Sequence, residues 1–228
     1  MHVIRIDLSM DISRYHNVPT RCGYRLAQDP LPPMDLAAPY FLEYILAGNG
    51  LFVRSVRREM EACFPIAWCV VGGGLPPLLP YLRLNGPRVP ARLVAALISH
   101  SRQAMLQNAG GIEQLFFLQL NASQWTLTIP PQAATAMSVK TTLEALDPTY
   151  RRAVLEVHSH HDMSAFFSAA DDREELGKFR IFAVLGQIGS APEISVRVGM
   201  WAYFYNFPAS TVFELPEGVS DVFDQKDA

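Results

Sequence analysis

The stretch Glu156-Val157-His158-Ser159-His160-His161, with Ser168-Ala169-Ala170-Asp171 separated from His160 by seven residues, decides how this chain is read. The run Ala153–His160 (AVLEVHSH) is apolar and β-branched enough to predict a strand. Residues two apart on a strand project from one face, so His158 and His160 aim both imidazoles the same way. The interval 161–167 is long enough to fold the next segment back over the strand end. That would bring Asp171, in the first turn of a helix opened by Ser168, to the two rings. Two imidazoles and one carboxylate leave the fourth tetrahedral position of a zinc ion to water, the open coordination of a catalytic site. Structural sites usually close that position with thiolates, and the three cysteines, Cys22, Cys63 and Cys69, all lie far upstream. Ser168-x-x-Asp171 is also a helix capping box, which by itself would account for the aspartate. His161 falls on the opposite strand face or past the strand end, and suits a supporting or surface role better than ligation.

Working outward, Ala91–Gln107 carries Leu93, Val94, Leu97, Ile98 and Met105 at helical spacing and ends at Asn108-Ala109-Gly110-Gly111. Gln114–Leu120 reads as a buried strand and Gln124–Ile129 as its hairpin partner. Pro130–Val139 reads as a loop, Lys140–Leu146 as a helical stretch, and Asp147-Pro148 as a break. Phe179–Leu185 is a further strand, and Ile194–Tyr205 a last one that closes the sheet. Strands and helices mixed in this way predict an α/β (α+β) fold, a mixed β-sheet flanked by helices.

Upstream of Pro90 the texture differs. Prolines cluster at Pro30, Pro32, Pro33 and Pro39, and again at Pro76, Pro77, Pro80, Pro87 and Pro90. Both zones read as extended or turning backbone. Between them Tyr40–Ala47 resembles a short helix, and Gly50–Val56 and Ile66–Val71 resemble strands. Gly72-Gly73-Gly74 lacks the lysine and the spacing of a phosphate loop and reads as a flexible turn. The division expected is a smaller proline-rich α/β domain over 1–90, a second domain over 91–215, and a polar, frayed tail over 216–228.

The chain has 228 residues, 50% hydrophobic and 18% charged, with a net charge of −3. That is the composition of a folded protein and offers no electrostatic case for nucleic acid or an anionic membrane. No Cys-x-x-Cys pair occurs, and few cysteines beside many methionines suit a reducing compartment. MHVIRIDLSM lacks the pattern of a signal peptide, and apolar runs such as 66–75 are too short to span a bilayer. The expected location is cytoplasmic.

His-Ser-His, seven residues, then Ser-x-x-Asp resembles the signature of the JAMM (MPN+) zinc metalloproteases, in their prokaryotic branch. The resemblance covers roughly residues 91–215 and includes the order of helix, strand pair, His-x-His strand, Ser-x-x-Asp helix and further strands. It implies a zinc-dependent peptidase or isopeptidase. His158, His160 and Asp171 would hold Zn2+. Glu113, at the start of the strand after the first helix, would be general acid/base, and Ser168 would support the oxyanion. The usual family proline after His-x-His is His161 here, and the one before the serine is Phe167. Glu156 rivals Glu113 as base because it shares a strand face with His158, although pairing with Arg151 or Arg152 would also explain it; Glu113 is preferred because a base one strand over can approach the water from the side. Glu144 sits on the expected exposed helix and is a poor candidate.

The whole chain also resembles a component of PRTRC gene cassettes, which encode a ThiF-like activating enzyme and a small ubiquitin-like protein. By that resemblance the partner is a ubiquitin-like protein or its conjugates, with a ThiF-like enzyme in the same pathway. The alternative from another class is a non-catalytic MPN-like scaffold that binds a ubiquitin-like partner. A deaminase is a poor fit, since its His-x-Glu and Pro-Cys-x-x-Cys pattern is missing. A nucleic-acid-associated RadC-like role is weakened by the acidic balance.

Overall fold

Five strands, β1 (Cys22–Leu26), β2 (Leu42–Ala47), β3 (Gly50–Arg57), β4 (Met60–Trp68) and β5 (Tyr81–Leu84), form a first sheet in sequential order. β1 and β2 run parallel and the other neighbours antiparallel. The structure is a computed structural model and describes residues 22–34, 36, 41–70, 73–107 and 111–223. Among these, residues 22–84 contain strands and no helix.

The helix expected over Tyr40–Ala47 is β2; Tyr40 itself lies outside the described residues. Apolar clusters pack on both faces of this strand, Leu42 and Tyr44 in one and Ile45 and Ala47 in the other, so LEYILA shows no apolar/polar alternation in sequence. Glu43 is buried in the same strand because the Arg54 guanidinium meets it at 2.6 Å. β4 begins six residues before the expected Ile66. Its Pro65 concealed it: a proline demotes a strand in sequence, yet here it pairs with Phe52 at a register shift, where a missing N–H is tolerated. Gly73 and Gly74, at φ of 93° and 71°, make a turn; Gly72 lies outside the described residues.

Helix α1 (Ala91–Gln107) follows, as the periodicity requires. Then come β6 (Leu115–Asn121), β7 (Gln124–Thr128), β8 (Gln132–Ala134), β9 (Val139–Thr141), α2 (Pro148–Arg152), β10 (Leu155–Ser159), α3 (Ala169–Glu175), β11 (Lys178–Gly186), β12 (Glu193–Trp201), β13 (Tyr203–Phe207) and β14 (Ser220–Asp221). The second sheet has the order β13-β12-β11-β10-β6-β7, with β14 beside β12. Its central strand β10 runs parallel to β11 and antiparallel to β6.

Four segments depart from the sequence reading. Pro130–Val139 is not simply a loop, since β8 and β9 pair as a small hairpin closed by Thr135 N–H on the Ser138 carbonyl at 2.8 Å. Lys140–Leu146 is not helical. The helix starts where a break was expected, with Asp147 as N-cap accepting from Thr149 N–H at 2.7 Å and Pro148 in its first turn. Ile194–Tyr205 is two strands, because the chain turns at Trp201 with φ of 56°, and no glycine or asparagine advertises that turn. The tail is partly tied down. Ser220 and Asp221 pair with β12, and the Asp221 carboxylate accepts from the N–H groups of Ala209 and Ser210. Residues 224–228 lie outside the described residues.

Val94, Leu97 and Ile98 of α1 are buried in one continuous cluster with Leu118, Leu155, Val157, Ile181 and Val198 of the second sheet. Val53, Met60 and Phe64 of the first sheet belong to the same cluster, and Phe64 stacks on Tyr205 at 5.4 Å. The Trp125 indole N–H donates to the Pro87 carbonyl at 2.8 Å, and Val89 bridges to Phe213. This mixed α+β core frees the other face of β10 for polar side chains. No helix among the described residues is long and apolar enough to cross a membrane.

Candidate metal centre

His158 is the fourth residue of β10, paired with Leu115 on one side and Val184 on the other. His160 lies one residue past the assigned strand. Its N–H still donates to the Leu185 carbonyl at 2.7 Å, so the extended backbone continues and both rings stay on one face. Their Nε2 atoms are 3.1 Å apart.

The third member comes from the start of α3. Ser168 has extended φ/ψ of −91° and 165°, and its hydroxyl oxygen accepts from the N–H groups of Ala170 and Asp171. Asp171 Oδ2 accepts in return from Ser168 N–H at 2.6 Å and from the Ser168 hydroxyl at 2.7 Å. Oδ1 is turned the other way, 3.4 Å from His158 Nε2. The capping and ligand readings of Asp171 therefore coexist on different oxygens. One ligand atom from each of His158, His160 and Asp171 lies within 4.8 Å of the others. Two borderline nitrogens and one carboxylate oxygen, all largely buried, fit a zinc ion with an open position.

The loop that makes this closure possible is held by backbone bonds. Met163 N–H donates to the His160 carbonyl at 2.9 Å, Gln187 N–H to Met163 at 2.8 Å, and Ile188 N–H to His161 at 2.7 Å. Gly186 lets it approach: a Cβ there would lie 2.5 Å from the Met163 carbonyl oxygen and collide with Ala165 N. His161 has φ of 49°, a backbone no proline can adopt, which gives the departure from the family pattern a physical basis. Its ring is buried against Gly111, whose missing Cβ would sit 3.1 Å from it, and neither ring nitrogen has a hydrogen-bond partner among the described residues. Of the supporting and surface roles expected for it, burial excludes the surface one, and the residue lies past the strand end.

Glu113 precedes β6 by two residues. Leu115 pairs with His158, and Gln114 and Ser159 exchange hydrogen bonds, so continuing the register sets Glu113 level with His160. Thr135 anchors its backbone at 2.8 Å, and the residue is 4% exposed. Burial, then the charges of Asp171 and Glu174, push its carboxyl up to about 8. Burial holds His158 down to about 4 and lowers His160 as well, so both rings are neutral and keep lone pairs for a metal. Burial would raise Asp171, but His158 and the Ser168 hydrogen bonds overcome it and hold the carboxyl below its usual range.

Glu156 does share the His158 face, but its carboxylate is committed elsewhere. Arg180 reaches it at 2.7 Å and Lys178 at 3.3 Å, so its partners are these two and not Arg151 or Arg152. Burial opposes its charge, and Lys178 and Arg180 more than compensate, lowering its pKa. Glu144 is exposed and outside any helix. A cavity of about 380 Å³, lined by Lys140, Leu143, Tyr150, Glu156, Glu174 and Lys178, opens along this face. Sequence reasoning passed over Arg180 and Arg197, although a charge inside an apolar strand (FRIFAVL, ISVRVGMW) was the available signal.

Residues 91–199 match the family model described as prokaryotic homologs of the JAB domain. Comparison with curated proteins returned no match.

Proposed function

Residues 91–199 belong to the prokaryotic branch of the JAB/MPN family, and from that premise we propose that this chain is a zinc-dependent peptidase or isopeptidase. The observation that carries the reading is the complete donor set, His158, His160 and Asp171, with a buried carboxyl, Glu113, beside it and outside it. A zinc ion held by these three supplies Lewis acidity and brings the pKa of its water to roughly 7.

Glu113 takes a proton from the attacking water and returns it to the departing amine. Its raised pKa suits the second half of that task, since a carboxyl that holds its proton near neutrality is a competent acid. Ser168 stands next to the site with its hydroxyl hydrogen on Asp171 Oδ2. To support an oxyanion it turns that hydrogen toward the substrate, while its backbone N–H keeps hold of Asp171. Glu156 stays ionised in its cationic surroundings and is a poor proton carrier. The cavity beside Glu156 gives a flanking substrate side chain a place to enter.

The substrate we infer is the C-terminus of a ubiquitin-like protein, free or conjugated, handled in a pathway with a ThiF-like activating enzyme. Resemblance to the PRTRC cassette component supports that choice. Three free thiols suit a reducing, cytoplasmic setting.

The test is to measure metal content by mass spectrometry and to offer the zinc protein C-terminally extended and lysine-linked ubiquitin-like proteins. One equivalent of zinc and hydrolysis that disappears in Glu113→Gln are expected. Zinc-free protein as purified, unable to take up the metal, would support the scaffold alternative instead.

A further inference from the structure

We infer that Arg197 is the positioning residue for the Asp171 ligand, a role that rests on the metal reading above. Glu156, Phe182 and Arg197 are register partners across β10, β11 and β12, and His158, Val184 and Ser195 form the next row. Arg197 therefore stands on the face that carries the metal donors, two strands away from the histidines, directly under α3.

From there its side chain grips both ends of the Ser168–Asp171 segment. The guanidinium carbon lies 4.0 Å from the centre of the Phe167 ring, the residue just before Ser168, and 4.2 Å from Phe204 on its other contact. Nη1 meets the Asp172 carboxylate, just after Asp171, at 2.6 Å. Nε and Nη2 reach Glu175 Oε2 at 2.7 and 2.6 Å, near the helix end. One planar cation thus ties the residue before the cap, the residue after the ligand and the last residue of the helix to a single point of the sheet.

This arrangement matters because α3 has only seven residues and little stability of its own. The capping box orients Asp171 relative to Ser168, but nothing within the helix orients that unit toward β10. The Glu175–Arg197 pair is 5% and 6% exposed, so desolvation offsets much of its attraction and its worth lies in geometry. Phe167 stands where the family pattern has proline. An aromatic ring held by a cation replaces the stiffness that a proline would bring to that position.

The experiment measures Zn2+ affinity by chelator competition and the Co2+ absorption spectrum for wild type, Arg197→Met, Arg197→Lys and the remote buried-charge control Arg54→Met. Loss of such an outer support typically costs about 10–100-fold in metal affinity. Arg197→Met should fall in that range with an altered Co2+ spectrum. Arg197→Lys, with the charge but not the fork, should recover part of the affinity, and Arg54→Met should bind as wild type does. If Arg197→Met does not fold, Phe167→Leu and Glu175→Met each remove one arm and should weaken zinc several-fold. Wild-type affinity and spectrum in the folded Arg197→Met protein, or in both single-arm variants, overturn the inference and leave the metal reading standing. Failure of the wild type itself to bind zinc overturns that reading and this inference with it.

Discussion

Ser168 holds Asp171 by one carboxylate oxygen, Oδ2, through both its N–H and its hydroxyl, and leaves Oδ1 turned to His158. A short helix cap and the proposed metal ligand thereby use different atoms of the same side chain and do not compete. Separating the two duties by substitution is possible because they use different atoms.

Asp171→Asn keeps a carbonyl acceptor for the cap and removes the anionic ligand. Its metal-free stability should stay within about 1 kcal/mol of wild type, while Asp171→Ala loses the cap interaction as well. Zinc uptake should fail in both. Denaturant unfolding of the metal-free proteins and metal analysis after dialysis check this; an Asp171→Asn protein that holds one equivalent of zinc refutes the assignment.

Zinc should raise the unfolding temperature of the wild type, since a ligand that binds only the folded state adds stability by mass action. The gain is about 2.7 kcal/mol at a free concentration of 100 times Kd. His158→Ala should show no such gain. A thermal shift of equal size in both proteins would place the metal elsewhere.

Glu113 has a folded-state pKa of about 8, above its ordinary value, so the folded chain binds its proton more tightly than the unfolded chain. Stability from this group is fully present below the ordinary carboxylate range and is lost as pH rises through 8. Metal-free Glu113→Gln escapes that loss. Relative to wild type it should gain stability between pH 5 and 8.5, measured as the difference in urea midpoint, with little further change above. A difference that is flat with pH would show that Glu113 is ionised in the metal-free fold.

Gly186 sits where the loop after His160 crosses β11, with no room for a Cβ beside Met163 and Ala165. Gly186→Ala should cost about 1–3 kcal/mol, the range for overpacking, and weaken zinc because the displaced backbone lies between the ligands. Unchanged stability and zinc affinity would mean that the loop yields freely.

Residues 91–223 produced alone should be markedly less stable than the full chain. The buried cluster that contains Val94 and Leu155 also contains Val53, Met60 and Phe64. Arg57 donates to the Ala153 and Phe179 carbonyls at 3.2 and 3.3 Å, at the threshold of β10 and in β11. Circular dichroism melting of the excised segment decides the matter; a wild-type melt would show that the first sheet contributes no stability to the second.

The elements legible in the sequence carry a local signal: a helical apolar spacing in α1 and near-continuous apolar runs of strand length in β6, β10 and β11. α1 lies on the bounds its apolar spacing gave, and β6, β10 and β11 lie within a residue or two of theirs. β2 was misread because apolar residues serve both of its faces and leave LEYILA without polar alternation or a bounding turn signal, and β4 because of Pro65. The β12–β13 turn rests on a positive φ at Trp201, a residue that announces no turn. Arg180 and Arg197 look like interruptions in apolar strands until their partners, Glu156 and Glu175, are seen opposite them.

By itself the sequence determined the donor chemistry and its local aim: two imidazoles on one strand face and a carboxylate in a capped first turn, because strand and cap geometry are set by neighbours in the chain. The tertiary structure decided the rest. It brought Asp171 Oδ1 to His158, buried Glu113 level with His160, committed Glu156 to Arg180 and Lys178, and anchored α3 on Arg197. These pairings join residues far apart in the chain, and no local period encodes which buried charge will meet which.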